Sequence, residues 1–268
     1  MILTSIRKKI ATALIVGFLA YVPAQVSAWG TIGHRVVGQI ADTYLKAKTR
    51  KAVQDILGYE TLAMCANWGD FIKSDSTYNY MYNWHFVNLP AGLNKDGVYN
   101  FLETDKSISL YTKIPDLIAV LKKPSSTRDE KKLAMRMLVH LAGDLCQPMH
   151  VARKEDLGGN RVSVLWFNEK SNIHRVWDEQ LIEYQQLSYT EYAKAINHAS
   201  AVELYNWQNT SLKDCIFESY NICNKIYETT KPDAKLSYRY NFDWVDTLNS
   251  QLLKGGVRLA KMLNDIYG

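Results

Sequence analysis

Two histidines and an aspartate, His140, Asp144 and His150, fall within the eleven residues HLAGDLCQPMH, among apolar or small neighbours. Leu133, Met137, His140 and Asp144 follow one another at steps of four, three and four. On a helix they share one face, so an apolar stripe turns polar toward its end. Burying an imidazole and a carboxylate is costly unless each is hydrogen-bonded, paired or bound to a metal. The device recurs in NIHRVWDEQL, where His174 and Asp178 are again four apart. His34 lies on a helical stripe with Val37, Gly38, Ala41 and Leu45, Asp70 follows CANWG, and His85 sits in an aromatic stretch. Of six histidines only His198, in AKAINHAS, stands apart from this pattern. Any one of these residues would pass as a satisfied core residue. Five histidines and three aspartates together match the nitrogen and oxygen ligands that zinc prefers, and outnumber what one tetrahedral site needs.

The elements that must position them are mostly helical. The pattern predicts helices from near Thr31, over about 60–71, from a Thr127/Glu130 capping box through Leu145, and over roughly 172–185, 189–206, 211–227 and 242–266. YNYMYNWHFVN and RVSVLWF alternate and are rich in aromatic and β-branched residues, so they are expected to be short strands or extended segments. The expected fold is all-α, a mainly helical single domain with a small β element. No repeat or long polar linker divides residues 29–268.

Residues 1–28 differ from the rest. Arg7, Lys8 and Lys9 precede the apolar run IATALIVGFLAYV, and VSA at 26–28 has the small-x-small form of a cleavage site. This is the pattern of a cleaved secretory signal, too short for a comfortable membrane span. Its removal takes away three positive charges and lowers the formal net charge from +5 to +2, a balance that argues for no particular polyanionic partner. The expected protein is exported, periplasmic or secreted, and without a membrane anchor. The basic signal, without glycosylation-rich loops, points to a bacterial source. Four cysteines in an exported chain allow up to two disulfides, in three pairings that the sequence does not choose between.

Trp29 with His34 five residues on, NWGD at Asp70, WHFVN at His85, HLAGDLCQPMH, GGN at 158–160, NIHRVWD and the closing LAKMLNDIYG resemble the S1/P1 nuclease family over the whole of residues 29–268. The resemblance implies three zinc ions. One would be held by Asp70, His85, His140 and Asp144, and a second by His150, His174 and Asp178. The third would take the α-amino nitrogen and carbonyl oxygen of Trp29, His34, and Asp144 as a bridge, so cleavage before Trp29 would be needed to free its amine. The implied activity is endonucleolytic hydrolysis of single-stranded DNA and RNA to 5′-phosphate products, with 3′-nucleotidase activity alongside, by a monomer acting on nucleic acids and nucleotides. Asp70 and Lys73 would be catalytic, and Phe86, Asn88 and Asn160 would contact substrate. Asn88 departs from the Asp that fungal members resemble one another in having, which opens the question of base preference. Cys146 departs from a common His, and a Cys65–Cys146 disulfide would brace the site. Zinc-dependent phospholipase C resembles the same cluster but has Glu where this chain has Asp178. A non-catalytic zinc protein is the other alternative, disfavoured because structural zinc sites are usually closed by four protein ligands.

Overall fold

The computed structural model describes residues 29–268, so the predicted signal segment lies outside the described residues. The described chain is mainly helical. In order it forms α1 (Thr31–Thr43), α2 (Ala47–Leu57), the short α3 (Leu62–Cys65) and α4 (Trp68–Phe71), and a 3₁₀ helix over Ser76–His85. Next come α5 (Lys95–Thr104), α6 (Leu110–Lys122), α7 (Arg128–Asp144), and α8 (Ile173–Arg175) joined to α9 (Leu181–Glu183) through a π-helical turn, Val176–Gln180. The rest is α10 (Tyr189–Ile196), α11 (Ala201–Gln208), α12 (Leu212–Thr229) and α13 (Tyr238–Tyr267). A small sheet has β1 (Ser163–Trp166) in the centre, antiparallel to β2 (Glu169–Asn172) and parallel to β3 (Lys235–Leu236).

The central element is α7. Its capping box is as expected, with Glu130 N–H donating to Thr127 Oγ1 and Thr127 N–H to the Glu130 carboxylate. From Met137 to Asp144 every residue is buried, because α1, α2, α4, α6 and α13 all pack on this helix. A helix covered all round holds its polar side chains away from water, and here those side chains are His140 and Asp144.

Several elements differ from the sequence expectation. The 60–71 helix is two helices, and the break leaves the Ala66 carbonyl to accept from His140 Nδ1 at 2.7 Å. The expected strand YNYMYNWHFVN is a 3₁₀ helix as far as His85. Tyr78, Met81 and Trp84 recur every three residues on its more covered side, a period that fits 3₁₀ geometry and hides inside an apparent alternation. Only from Phe86 is the chain extended, with Val87 and Leu89 N–H donating to the His150 and Ala152 carbonyls. The 189–206 helix is two, because Ser200 and Glu203 form their own capping box. α2, α5 and α6 were not anticipated. α6 carries Pro115 in its interior, forfeiting one backbone hydrogen bond, while Leu110, Ile114, Leu117 and Leu121 bury its apolar face.

All four cysteines are buried free thiols. The Cys65–Cys146 disulfide is therefore corrected. Cys65 Sγ donates to the Leu62 carbonyl at 3.5 Å, Cys146 Sγ accepts from Arg258 Nη1 at 3.4 Å, and burial pushes both thiols' pKa up.

Candidate metal centre

Eight of the nine expected ligand residues bring side chains to one buried region. His34, His140 and Asp144 are fully buried, and Asp178, His85, His150 and His174 are at most 6 % exposed. The Asp144 carboxylate lies in the middle. Its Oδ2 is 3.1 Å from His85 Nδ1 and 3.3 Å from His140 Nε2, while its Oδ1 is 3.4 Å from His34 Nε2. One carboxylate thus addresses two sets of ring nitrogens. Asp70 Oδ1 stands 3.7 Å from His140 Nε2 and accepts from Lys73 Nζ at 2.6 Å. In a further group His174 Nε2 is 2.9 Å from Asp178 Oδ2, and His150 Nε2 is 3.7 Å from Asp178 Oδ1. Three sets can gather ligand atoms around an ion: His34, Asp70 and His140; His85, His140 and Asp144; His150, His174 and Asp178.

The far side of each ring decides whether these atoms suit a metal. His140, His150 and His174 each point Nδ1 at a backbone carbonyl, of Ala66, His85 and Gly158 respectively, at 2.7 Å. A carbonyl only accepts, so Nδ1 carries a proton, and when the ring is neutral its Nε2 lone pair is the one turned to the centre. Nε2 of His150 and His174, both ring nitrogens of His34, Asp144 Oδ1 and Asp178 Oδ2 are buried without a hydrogen-bond partner. Such groups cost stability unless something else satisfies them. The spacings bracket the edge of a tetrahedron with zinc-to-nitrogen arms, about 3.3 Å. The residues fit a zinc cluster.

Electrostatics agree. Burial alone would raise the Asp144 carboxyl, but His140 and His150 beside it hold it well below the ordinary range, and against its own burial Asp178 is lowered by His174. Burial, reinforced by His34, lowers His140 to about 3. Against its own burial, Asp70 is kept ionised by His140 and Lys73.

Two glycines explain the small residues of the motifs. A Cβ at Gly69 would meet the His140 ring at 2.6 Å, and one at Gly143 would meet His34 Nδ1 at 2.8 Å. His34 and His140 are themselves stacked, with centroids 3.9 Å apart. The start of the described chain is fastened beside them. Buried Trp29 donates Nε1–H to the Gly143 carbonyl at 2.7 Å, and Gly30 N–H donates to the Asp178 carbonyl at 2.6 Å. Trp29 is thereby held between the two helical segments that carry Asp144 and Asp178.

This arrangement coincides with a family-wide likeness. The S1/P1 nuclease family model matches residues 29–268. The chain belongs to the S1/P1 nuclease family. It is 27% identical to Endonuclease 2 of Arabidopsis thaliana over 95% of this chain and 96% of that protein. It is 28% identical to Nuclease P1 of Penicillium citrinum over 90% and 98%, and 30% identical to Nuclease S1 of Aspergillus oryzae over 58% and 55%. The protein is a nuclease, and its substrates are nucleic acids.

The nuclease places Phe86 and Asn88 together in a cleft of about 610 Å³, next along the chain from His85, with Asn83, Phe101, Ser109 and Lys154 among its walls. Asn160 is on the loop beyond it, where its side-chain amide donates to the Leu157 carbonyl at 2.8 Å. Two supporting residues do not stand out in the sequence. Fully buried Gln147 donates to Asp178 Oδ1 and accepts from Met149 N–H, so it fixes which carboxylate oxygen turns toward His174. Asp156 accepts from Gly159 N–H and from Tyr227 Oη, and thereby braces the loop whose Gly158 carbonyl orients His174. The QP after GD-x-x and the Asp before GGN were visible signals, but neither looks like a ligand.

Gln147→Ala is expected to weaken zinc binding at the His150, His174 and Asp178 group by about 10- to 100-fold, the usual cost of losing an outer partner. Chelator competition with zinc counting would measure it, and unchanged affinity would remove Gln147 from that role.

Proposed function

We propose that this nuclease is an exported, zinc-dependent phosphodiesterase that cuts single-stranded DNA and RNA internally, leaves 5′-phosphates and also removes 3′-phosphates from nucleotides. The observation that carries this is the divided Asp144 carboxylate, with ring nitrogens facing each of its oxygens inside a buried centre. A shared carboxylate favours more than one ion, the arrangement that clamps both the attacking and leaving oxygens of an in-line displacement. Zinc held by Asp70, His85, His140 and Asp144, by His150, His174 and Asp178, and by His34, Asp144 and the Trp29 backbone would supply Lewis acidity and a water that ionises near neutral pH.

The chain's own groups do the rest. Asp70, ionised and partly open to solvent, accepts a hydrogen bond from the attacking water and aims it. Lys73 Nζ, 2.6 Å from Asp70 Oδ1, is placed to neutralise charge growing on the phosphoryl oxygens. Phe86 offers a ring face to an unpaired base, which tolerates any base and excludes one still paired in a duplex. Asn88 in the same cleft brings both a donor and an acceptor to the base edge, where an Asp would only accept. Export is supported by the signal pattern of 1–28. Among the described residues no helix is long and apolar enough to cross a membrane.

The test is digestion of circular single-stranded DNA by protein processed to Trp29, with chelated and zinc-restored samples and a phosphatidylcholine assay in parallel. Linear products that disappear on chelation and return with zinc are expected. An intact circle with lipid hydrolysed would replace this proposal with a phospholipase.

A further inference from the structure

The 3₁₀ helix that ends at the metal centre is studded with rings that the core does not use. Tyr80 and Tyr82 are 57 % and 56 % exposed, and Phe71 nearby in sequence is 73 % exposed. Contiguous apolar exposure of this kind generally marks a binding surface. The rings contact one another in two sets, one that includes Phe86 and one around Tyr80. Tyr82 meets Phe86 edge-on at 5.8 Å, Tyr80 meets Trp84 at 5.6 Å and lies 6.3 Å from Tyr78, and Tyr78 meets Trp68 at 5.6 Å. Tyr80 lies one 3₁₀ turn before Asn83, which lines the cleft together with Phe86.

The helix is firmly seated, because Met81 and His85 are buried beneath it. Cations accompany the rings, with Lys113 Nζ 5.2 Å from the Trp84 centroid, Arg136 Cζ 5.4 Å from that of Trp68, and Lys73 beside Asp70. Rings on a rigid element, flanked by cations from α6, α7 and the segment after Asp70 and continuous with a phosphodiester-cleaving centre, match a polyanion that carries flat apolar faces. A single nucleic-acid strand has that chemistry, and stacking on aromatic side chains accepts every base.

We propose that Tyr80 and Tyr82 form a stacking track leading out from Phe86, which holds the bases of a single strand beyond the two nucleotides flanking the cleaved bond. The inference rests on the single-strand reading above and extends it from the reacting bond to substrate length. The track adds ground-state affinity for long strands and leaves the chemical step alone, so its mark is on KM.

The experiment compares the zinc-loaded enzyme on the dinucleotide TpT and on a (dT)10 strand. The variants are the double substitutions Tyr80→Ala with Tyr82→Ala, and Tyr80→Phe with Tyr82→Phe. Wild type is expected to show a lower KM for the decamer than for TpT. The alanine pair should raise the decamer KM about tenfold relative to that for TpT, with kcat little changed, and the phenylalanine pair should restore it, since stacking needs the ring and not the hydroxyl. Equal KM shifts on both substrates, no shift on either, or failure of the phenylalanine pair to restore the decamer KM would overturn the track. Vesicle binding by wild type, lost in the alanine pair while the KM ratio stays fixed, would assign the surface to membranes instead. A wild type that cuts neither oligonucleotide would overturn the single-strand reading and the track with it. One that cuts both with equal KM would overturn the track alone.

Discussion

Asp144→Asn is expected to lower kcat/KM for phosphodiester cleavage by about 10³-fold, roughly 4 kcal/mol of transition-state stabilisation. The substitution keeps the side chain's shape. It removes the charge and turns one of two oxygens, each now near ring nitrogens at 3.1–3.4 Å, into an amide that can only donate. Because Asp144 lies between His34 on one side and His85 with His140 on the other, more than one ion should be lost. Metal counting on the purified variant therefore separates this role from that of a peripheral carboxylate. Circular dichroism would establish that helices persist, since the buried face of α7 is otherwise untouched. A variant with full zinc content and near-normal rate would end the argument for a shared carboxylate.

The centre was legible wherever chemistry and periodicity coincide. Thr127 and Glu130 mark the start of α7, and the same stripe that buries Met137 carries His140 and Asp144 to the core, so helix and ligands follow from one pattern. His34 on α1 and the His174/Asp178 pair follow in the same way, although a π-helical turn lies between α8 and α9 where a regular helix was expected.

Legibility failed where a tertiary partner decides the local structure. The break after Cys65 has no strong breaker residue, yet it gives His140 the Ala66 carbonyl. The aromatic stretch before His85 alternates like a strand, but its covered side chains repeat every three residues, and only contact with α6 and α7 shows which period counts. Gln147 is a neutral amide whose importance lies wholly in Asp178, 31 residues away. The cysteines misled because an exported chain suggests pairing, whereas all four are buried free thiols.

Removing the metal should produce the largest change in stability. Asp144 and Asp178 are at most 1 % exposed, and the ring nitrogens buried around them lack hydrogen-bond partners, so losing an ion leaves costly unsatisfied groups. An ion that binds only the folded arrangement stabilises it by RT ln(1 + [L]/Kd), about 4 kcal/mol per site at a thousandfold excess over Kd. At about 2–4 °C per kcal/mol for a chain of this size, full chelation should lower Tm by about 10 °C or more. The pH dependence has a definite sign. In the metal-free site burial opposes protonation of His150, but Asp144 and Asp178 raise it to about 9. Uptake of zinc there displaces a proton through the neutral range, so affinity rises with pH. The Tm gap between loaded and chelated protein should accordingly widen from pH 6 to pH 8. Calorimetry on both forms at the two pH values, with residual zinc counted, is the measurement. A Tm unmoved by complete metal removal would mean that the fold satisfies these buried groups by itself, and a gap that narrows with rising pH would place the displaced proton elsewhere than on His150.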